Sequence, residues 1–487
     1  MLIRDAELAS GRFDVRIRGA RIAEIGRGLV ASDAEATLDA RAGALLPGLH
    51  DHHIHLQALA AKLASLDCGP SAVPDFNALT QALRRALPAR GWIRGTGYFE
   101  SVAGPLNRDA IDAMRADIPV RIQHRSGAMW FLNSRAIEAL DLDSSSESGL
   151  ERDTAGRVTG RIFRADDWLR ERWPSTGPPD LAPVGRLLSR LGVTQVTDCT
   201  PTNGEAEWAL LRSAQERGAL PQRVEMMGRL DTSAPGTSAL QLAAHKIMLD
   251  EPALPPFETL CERIARAHAA GRPVAFHTVT RVEAHFALAA LESAGASAGD
   301  RLEHASVAPP ELLRAVAHLG VAIVTQPHFI RERGDDYLAE VEARDQPHLY
   351  RLQSWLTAGV SLRGGTDAPF GVADPWRAMR AAVQRRTNRG IVLGPDERLS
   401  PESALALFLP DRIRQRAGAL ERRPPLLVGD PADLCLLGVG WQAARQRLTA
   451  RHVAATWREG RLLYSRELEE ESREEASPNG SRTSVPE

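Results

Sequence analysis

The sequence predicts an α/β fold: a (β/α)8 TIM barrel, a small β-sandwich domain formed by both chain termini, and a subdomain inserted after the first barrel strand. Three observations carry this expectation. Eight short apolar runs recur between residues 43 and 367, stretches of helical periodicity lie between them, and short alternating segments flank the whole at both ends. With 487 residues the chain is long enough for one large barrel and a smaller companion.

Residues 1–43 hold two alternating segments, LIRDAEL and FDVRIRGARIAEI, separated by Ser10-Gly11, which predict a small antiparallel sheet. The same style returns in PLLVGDPADLCLLG and HVAATWREGRLLY, with Gly-Asp and Glu-Gly turns. Residues 1–43 and 424–465 are therefore assigned to one composite β domain, and 44–423 to the barrel. The barrel strands are expected in GALLPGLHD (43–51), GVTQVTD (192–198), QRVEMMG (222–228), HKIMLD (245–250), PVAFHT (273–278), DRLEHA (300–305), VAIVTQ (321–326) and GVSLRGGTD (359–367). Helices such as FETLCERIARAHAAG and PELLRAVAHLG, each closed by Gly, alternate with them. Residues 56 to about 190 are too long for one βα unit, so an insert is placed at about 70–185, containing the strand PVRIQH and the helix FLNSRAIEAL. Trp92, Trp130, Trp168 and Trp173 within it suggest an apolar lid over the barrel mouth. The acidic, then Ser/Pro-rich stretch 466–487 is expected to be disordered.

Composition narrows the function. A formal charge of -2 gives no basic field for nucleic acid, and no apolar run approaches the roughly 20 residues that span a bilayer. The opening MLIRDAELAS lacks the organisation of a secretory signal, so a cytoplasmic location is expected. Cys68, Cys199, Cys261 and Cys435 are scattered and read as buried thiols in a reducing compartment. No glycine-rich phosphate cradle opens a helix, which argues against a nucleotide cofactor and for a small-molecule substrate. Among 60 basic residues only Lys62 and Lys246 are lysine, and a lysine retained amid arginines points to a need for an amine.

The chemistry-bearing residues fall at predicted strand ends. His53 and His55 follow the apolar LLPGL, and alternation turns both imidazoles to one side, where they can share a cation. A surface His-rich turn is the alternative, because His50 and His52 crowd the same segment. In HKIMLD, Lys246, Met248 and Asp250 are expected to face the barrel interior; the alternative for Lys246 is a salt bridge to Asp250. His277 ends GRPVAFH and His304 ends DRLEH, about one βα unit apart, and Asp367 follows GVSLRGGT.

PGLHDHHIH resembles the PGxxDxHxH signature of the amidohydrolase superfamily, and the order His, His, Lys, His, His, Asp along strands one, four, five, six and eight resembles its metal set. In detail the chain resembles the amidohydrolase-3 or YtcJ-like family, which includes N-substituted formamide deformylases: NSRAI at 133–137, RLEHA, TQPHF, TDAPF followed by DPW, and GDPADL carry the likeness to about residue 465. The resemblance implies one or two divalent ions, zinc first among them, held by His53, His55, a carboxylated Lys246, His277, His304 and Asp367. It implies Asp367 as general base and acid in hydrolysis of an amide-type C–N bond, and a homodimer is in keeping with it. A mononuclear deaminase, an ester or lactone hydrolase, and a non-catalytic scaffold are the alternatives. Asn133 and His328 are candidate substrate contacts, set against a helix cap and a solvated loop histidine. The sequence departs from the family at Ser126-Gly127-Ala128-Met129 and at TVTRVEA after His277, which leaves the substrate open.

Overall fold

The computed structural model describes residues 1–70, 72–89, 91–173, 177–417 and 425–475. The expected apolar runs form one eight-stranded parallel sheet: Leu49–Ile54, Val193–Asp198, Arg223–Gly228, Leu240–Met248, Val274–Thr278, Arg301–His304, Ala322–Thr325 and Leu362–Gly364, each paired with its successor. A parallel strand buried on both faces is expected to be nearly all apolar, as Val274-Ala275-Phe276 is. The first and last strands approach closely enough to make the barrel nearly closed: Asp367 N donates to His53 O at 2.7 Å and His55 N to Ala368 O at 2.8 Å. That seam requires Gly365, since a Cβ there would lie 2.3 Å from the Cβ of His53.

The run at 43–51 divides at Gly48. Leu45–Pro47 pairs antiparallel with Leu434–Leu437, and the barrel strand proper starts at Leu49. Helices Glu205–Glu216, Phe257–Ala269, Arg281–Ala294, Pro310–Leu319 and Pro375–Gln384 follow barrel strands, but none joins the third to the fourth. That connection, RLDTSAPGTSA, is rich in the residues that favour turns, so the expected strict alternation fails there. TVTRVEA turns out to be a helix start: Thr280 and Glu283 form a capping box for Arg281–Ala294.

Two four-stranded sheets come from the termini. Leu2–Leu8, Gly11–Arg18, Arg21–Gly26 and Thr37–Asp39 form one; Leu45–Pro47, Leu434–Leu437, Val453–Arg458 and Arg461–Ser465 form the other. Ile3, Val15 and Ile17 from the first share one apolar cluster with Leu45, Leu434 and Trp457 from the second. The chain divides into two compact units, Met1–Leu56 with Leu181–Glu487, and Gln57–Asp180. The insert thus starts earlier than the sequence suggests, because the helix Leu56–Leu63 and the strand Leu66–Asp67 already lead into its sheet. That sheet has six strands, from Leu150–Arg152 at one edge to Leu66–Asp67 at the other, with Phe131 contributing to one apolar cluster and its neighbours Trp130 and Leu132 to another.

The tail departs from expectation. Arg466–Glu475 is helical, favoured by its Glu, Leu and Arg content, and Arg466 donates to the carbonyls of Arg451 and Val453. The rest of the tail, 476–487, and the expected boundary at 423–424 lie outside or at the edge of the described residues. Among the described residues, no helix is long and apolar enough to cross a membrane.

Candidate metal centre

The donors selected from the sequence converge at the carboxyl ends of the barrel strands, though not equally. His53, His304 and Asp367 are buried, and each offers one ligand atom, all within 4.8 Å of one another. His55 joins them through Asp367, whose Oδ1 lies 3.1 Å from His55 Nε2 and 3.4 Å from His53 Nε2. His277 reaches the group only by its ring, 4.6 Å from that of His304. Lys246, on the fourth strand, makes no hydrogen bond to any of them: its Nζ is buried without a partner among the described residues. Lys62, by contrast, is exposed.

The imidazoles are fixed from behind. His53 Nδ1 donates to Glu303 Oε2 at 2.5 Å, His304 Nδ1 to Gln326 Oε1 at 2.8 Å, and His55 Nδ1 lies 3.0 Å from Thr200 Oγ1. For His53 and His304, whose partners are acceptors that keep the proton on Nδ1, Nε2 keeps its lone pair for the centre. Burial, above all, keeps three of the rings neutral: the pKa of His53 is lowered, that of His277 falls to about 4 and that of His304 lies well below the ordinary histidine value, with Lys246 among the charges that add to the effect. Neutral imidazole is the form in which histidine can bind a metal. Burial pushes the Asp367 carboxyl up, but His53, His55 and His304 together outweigh it and hold the group below the usual carboxylate range. Non-glycine residues in left-handed conformation cluster here, with φ of 68° at His304, 44° at Ala305 and 51° at Asp367, a strain that folds tolerate mainly at working sites.

Sequence reasoning missed the two residues beneath the centre. Arg301 and Glu303 are buried, with Arg301 Nε 2.5 Å from Glu303 Oε1 and Arg301 Nη2 3.1 Å from His52 O. Burial is the largest influence on Glu303 and raises its pKa, but Arg301, then Lys246 and His53, overcome it and keep the carboxylate ionised. The signal was present: two charges at a spacing of two in a strand that should be apolar. Asp51 was also passed over. It receives Thr366 N at 2.9 Å and Thr366 Oγ1 at 2.5 Å across the barrel seam, while burial pushes its pKa up to about 7.

Other expectations are corrected. His50 and His52 are not a surface turn: both are buried, with rings 3.7 Å apart, and they bond to Thr197 Oγ1 and Leu409 O. Met248 and Asp250 are not buried in the barrel interior: the fourth strand ends at Met248 and both residues are exposed. Asn133 is the buried cap of Ser134–Ala139, and both ends of its amide are engaged: Oδ1 accepts from Val120 N and Ala136 N, and Nδ2 donates to Arg115 O and Ile118 O. The helix-cap alternative therefore describes it. His328 is no solvated loop histidine either. It is buried, its Nε2 is 3.1 Å from Thr366 O, and its Nδ1 has no partner among the described residues. A second donor group, His53, Cys199 and Glu303, is disfavoured for a cation because Arg301 Nη2 already lies 3.4 Å from Cys199 Sγ.

A family model described as the amidohydrolase family, Amidohydro_3, matches residues 36–464. The N-substituted formamide deformylase of Arthrobacter pascens is 26% identical over 526 aligned residues, covering 93% of this chain and 95% of that protein. The putative amidohydrolase YtcJ of Bacillus subtilis (strain 168) is 24% identical over 403, covering 71% and 74%. The crystal structure of an uncharacterized metal-dependent hydrolase from Pyrococcus horikoshii OT3 superposes with a TM-score of 0.72 at 21% identity, covering 94% of this chain and 99% of that one, and so shares the fold.

Proposed function

The chain belongs to the amidohydrolase family, and from that premise we propose that it is a metal-dependent hydrolase of an amide-type C–N bond in a small molecule. The observation that carries this reading is Lys246, an ammonium buried with no acceptor among the described residues, beside the neutral imidazoles of His277 and His304 and an ionised Asp367. An ion in that position costs several kcal/mol unless something compensates it. Addition of carbon dioxide to the amine, with release of two protons from the ammonium, converts Lys246 to a carbamate and turns the unpaired cation into an anionic donor. The residues then fit a divalent metal: His53, His55, His277, His304 and carboxylated Lys246 would hold one or two ions, zinc in our reading, with Asp367 beside them. When bound, the metal supplies Lewis-acid polarisation of the carbonyl and acidifies water.

Asp367 does the proton work. Its ionised Oδ1 takes a proton from the attacking water and passes it to the leaving nitrogen, so that amide and water become acid and amine. Glu303 and Gln326 keep His53 and His304 in the tautomer that faces the centre, and Thr200 holds the His55 ring from behind. His328 offers its partnerless Nδ1 to the substrate. Met248, at the end of the fourth strand, and Val279, Val282, Phe370 and Val372, past the ends of the fifth and eighth, are exposed, an apolar rim suited to an apolar acyl or N-substituent. The two terminal sheets, with their common core, act as a sandwich domain supporting the barrel. The test is metal content per chain for the wild type and Lys246→Ala, together with hydrolysis of N-formyl and N-acyl amines. About two ions, falling on loss of Lys246, with hydrolysis, supports the reading. One ion insensitive to Lys246 with release of ammonia from a heterocycle replaces it with a deaminase, and no metal with no hydrolysis sinks it.

A further inference from the structure

Three of the tryptophans in the inserted unit gather around one arginine, and we propose that this cluster binds a carboxylate attached to an aromatic or other flat apolar body. Arg94 and Arg121 are direct partners in the parallel pair formed by Ile93–Tyr98 and Val120–His124, so both side chains leave the same face of the sheet. The guanidinium of Arg121 sits 4.2 Å from the ring centroid of Trp173, 5.8 Å from Trp130 and 5.9 Å from Trp92; that of Arg94 sits 5.9 Å from Trp130. Trp173 meets both other indoles edge to face at 5.7 Å, forming an apolar wall.

What sets this pair apart is the missing carboxylate. Elsewhere in the unit Arg108 pairs with Asp143, Arg115 with Asp117, Arg157 with Asp109 and Arg161 with Glu151. Among the described residues Arg94 bonds only to Ser65 Oγ, at 3.1 Å, and the Nε of Arg121 is buried with no partner. Burial lowers the pKa of both guanidiniums, Arg121 to about 10 with Arg94 adding to the effect, and no acid among the described residues offsets it. Packing alone would need a single stacked guanidinium. A second like charge directly opposite adds repulsion, which a bound anion removes. The planar fork of arginine suits a carboxylate held by two parallel hydrogen bonds, and the indole faces suit a flat apolar body next to it. A bare inorganic anion would leave that wall unused.

The experiment is calorimetric titration of the full chain with benzoate, acetate and benzamide, repeated on Arg121→Gln and Arg94→Gln. The proposal expects saturable binding of one benzoate per chain, weaker binding of acetate and benzamide, and affinity for benzoate lower by roughly 10- to 100-fold in either variant, the usual worth of a lost charge-assisted hydrogen bond. Benzoate held at the barrel centre instead would survive both substitutions and disappear in His53→Ala, which overturns the proposal. So does the absence of saturable heat, or equal binding of benzamide and benzoate by the wild type; the last comparison stands even if a variant fails to fold.

Discussion

Replacing Glu303 with Gln tests whether the carboxylate beneath the centre positions His53 or merely fills space. Glu303 is wholly buried and serves two partners, His53 Nδ1 at 2.5 Å and Arg301 Nε at 2.5 Å. Glutamine keeps the shape and one acceptor but removes the charge, leaving the buried cation of Arg301 without its anion. Breaking a buried pair in this way costs about 3–5 kcal/mol of stability, and loss of the group that orients a metal-binding histidine lowers metal affinity about 10- to 100-fold. Urea unfolding measures the first and competition for zinc against a chromophoric chelator the second. The combined variant Arg301→Met with Glu303→Leu separates the effects: an apolar pair of similar volume restores much of the stability, but cannot accept the His53 proton. Recovery of zinc affinity along with stability in that variant would refute the positioning role, as would unchanged zinc affinity in Glu303→Gln.

Asp367→Asn should leave the fold intact and lower kcat by about 10²- to 10⁴-fold with a smaller effect on KM, read from steady-state hydrolysis of whichever N-acyl amine the wild type accepts. Acid should destabilise the protein through its buried histidines. His50 and His245 have folded pKa values of about 4 against an ordinary 6.5, so the unfolded chain binds protons first; their stabilisation is complete above pH 6.5 and is lost as pH falls toward 4. The loss approaches on the order of 3 kcal/mol for each ring, and a His50→Asn variant should show a shallower decline between pH 6.5 and 4 in chemical denaturation. Asn133→Ala removes a helix cap and unpairs buried backbone groups, so it should cost roughly 2–3 kcal/mol of stability while leaving kcat/KM per folded molecule unchanged; a selective fall in kcat/KM would return Asn133 to the substrate site.

The barrel was legible because parallel strands are written in apolar runs whose boundaries hardly depend on context: all eight segments that the sequence singled out contain a strand. What failed was local. The missing helix between the third and fourth strands lies in a stretch of Ser, Thr, Gly and Pro that periodicity alone does not weigh, and the split of residues 43–51 depends on the distance from Gly48 to Thr194, where a Cβ would come within 2.3 Å of the Thr194 hydroxyl. The helix at Arg466–Glu475 contradicts a disorder expectation drawn from charge, because the same Glu-rich composition that resists burial also favours helix.

At the centre the division runs between donors and what holds them. Histidine, lysine and aspartate at strand ends declare themselves by residue type and place, because few structural duties require them there. Glu303, Gln326, Thr200 and Asp51 do not, since the sequence cannot tell a carboxylate aimed at an imidazole from one aimed at solvent. Yet these residues decide the chemistry: an imidazole whose Nδ1 lacked an acceptor could equally keep its proton on Nε2 and present no lone pair. Arg301 makes the same point by charge. Without it the buried Glu303 would take up a proton more readily, and the His53 tautomer would no longer be fixed by an anion. The arginine that looked like an ordinary basic residue in RLEH is thus a condition for the histidine set to work as one.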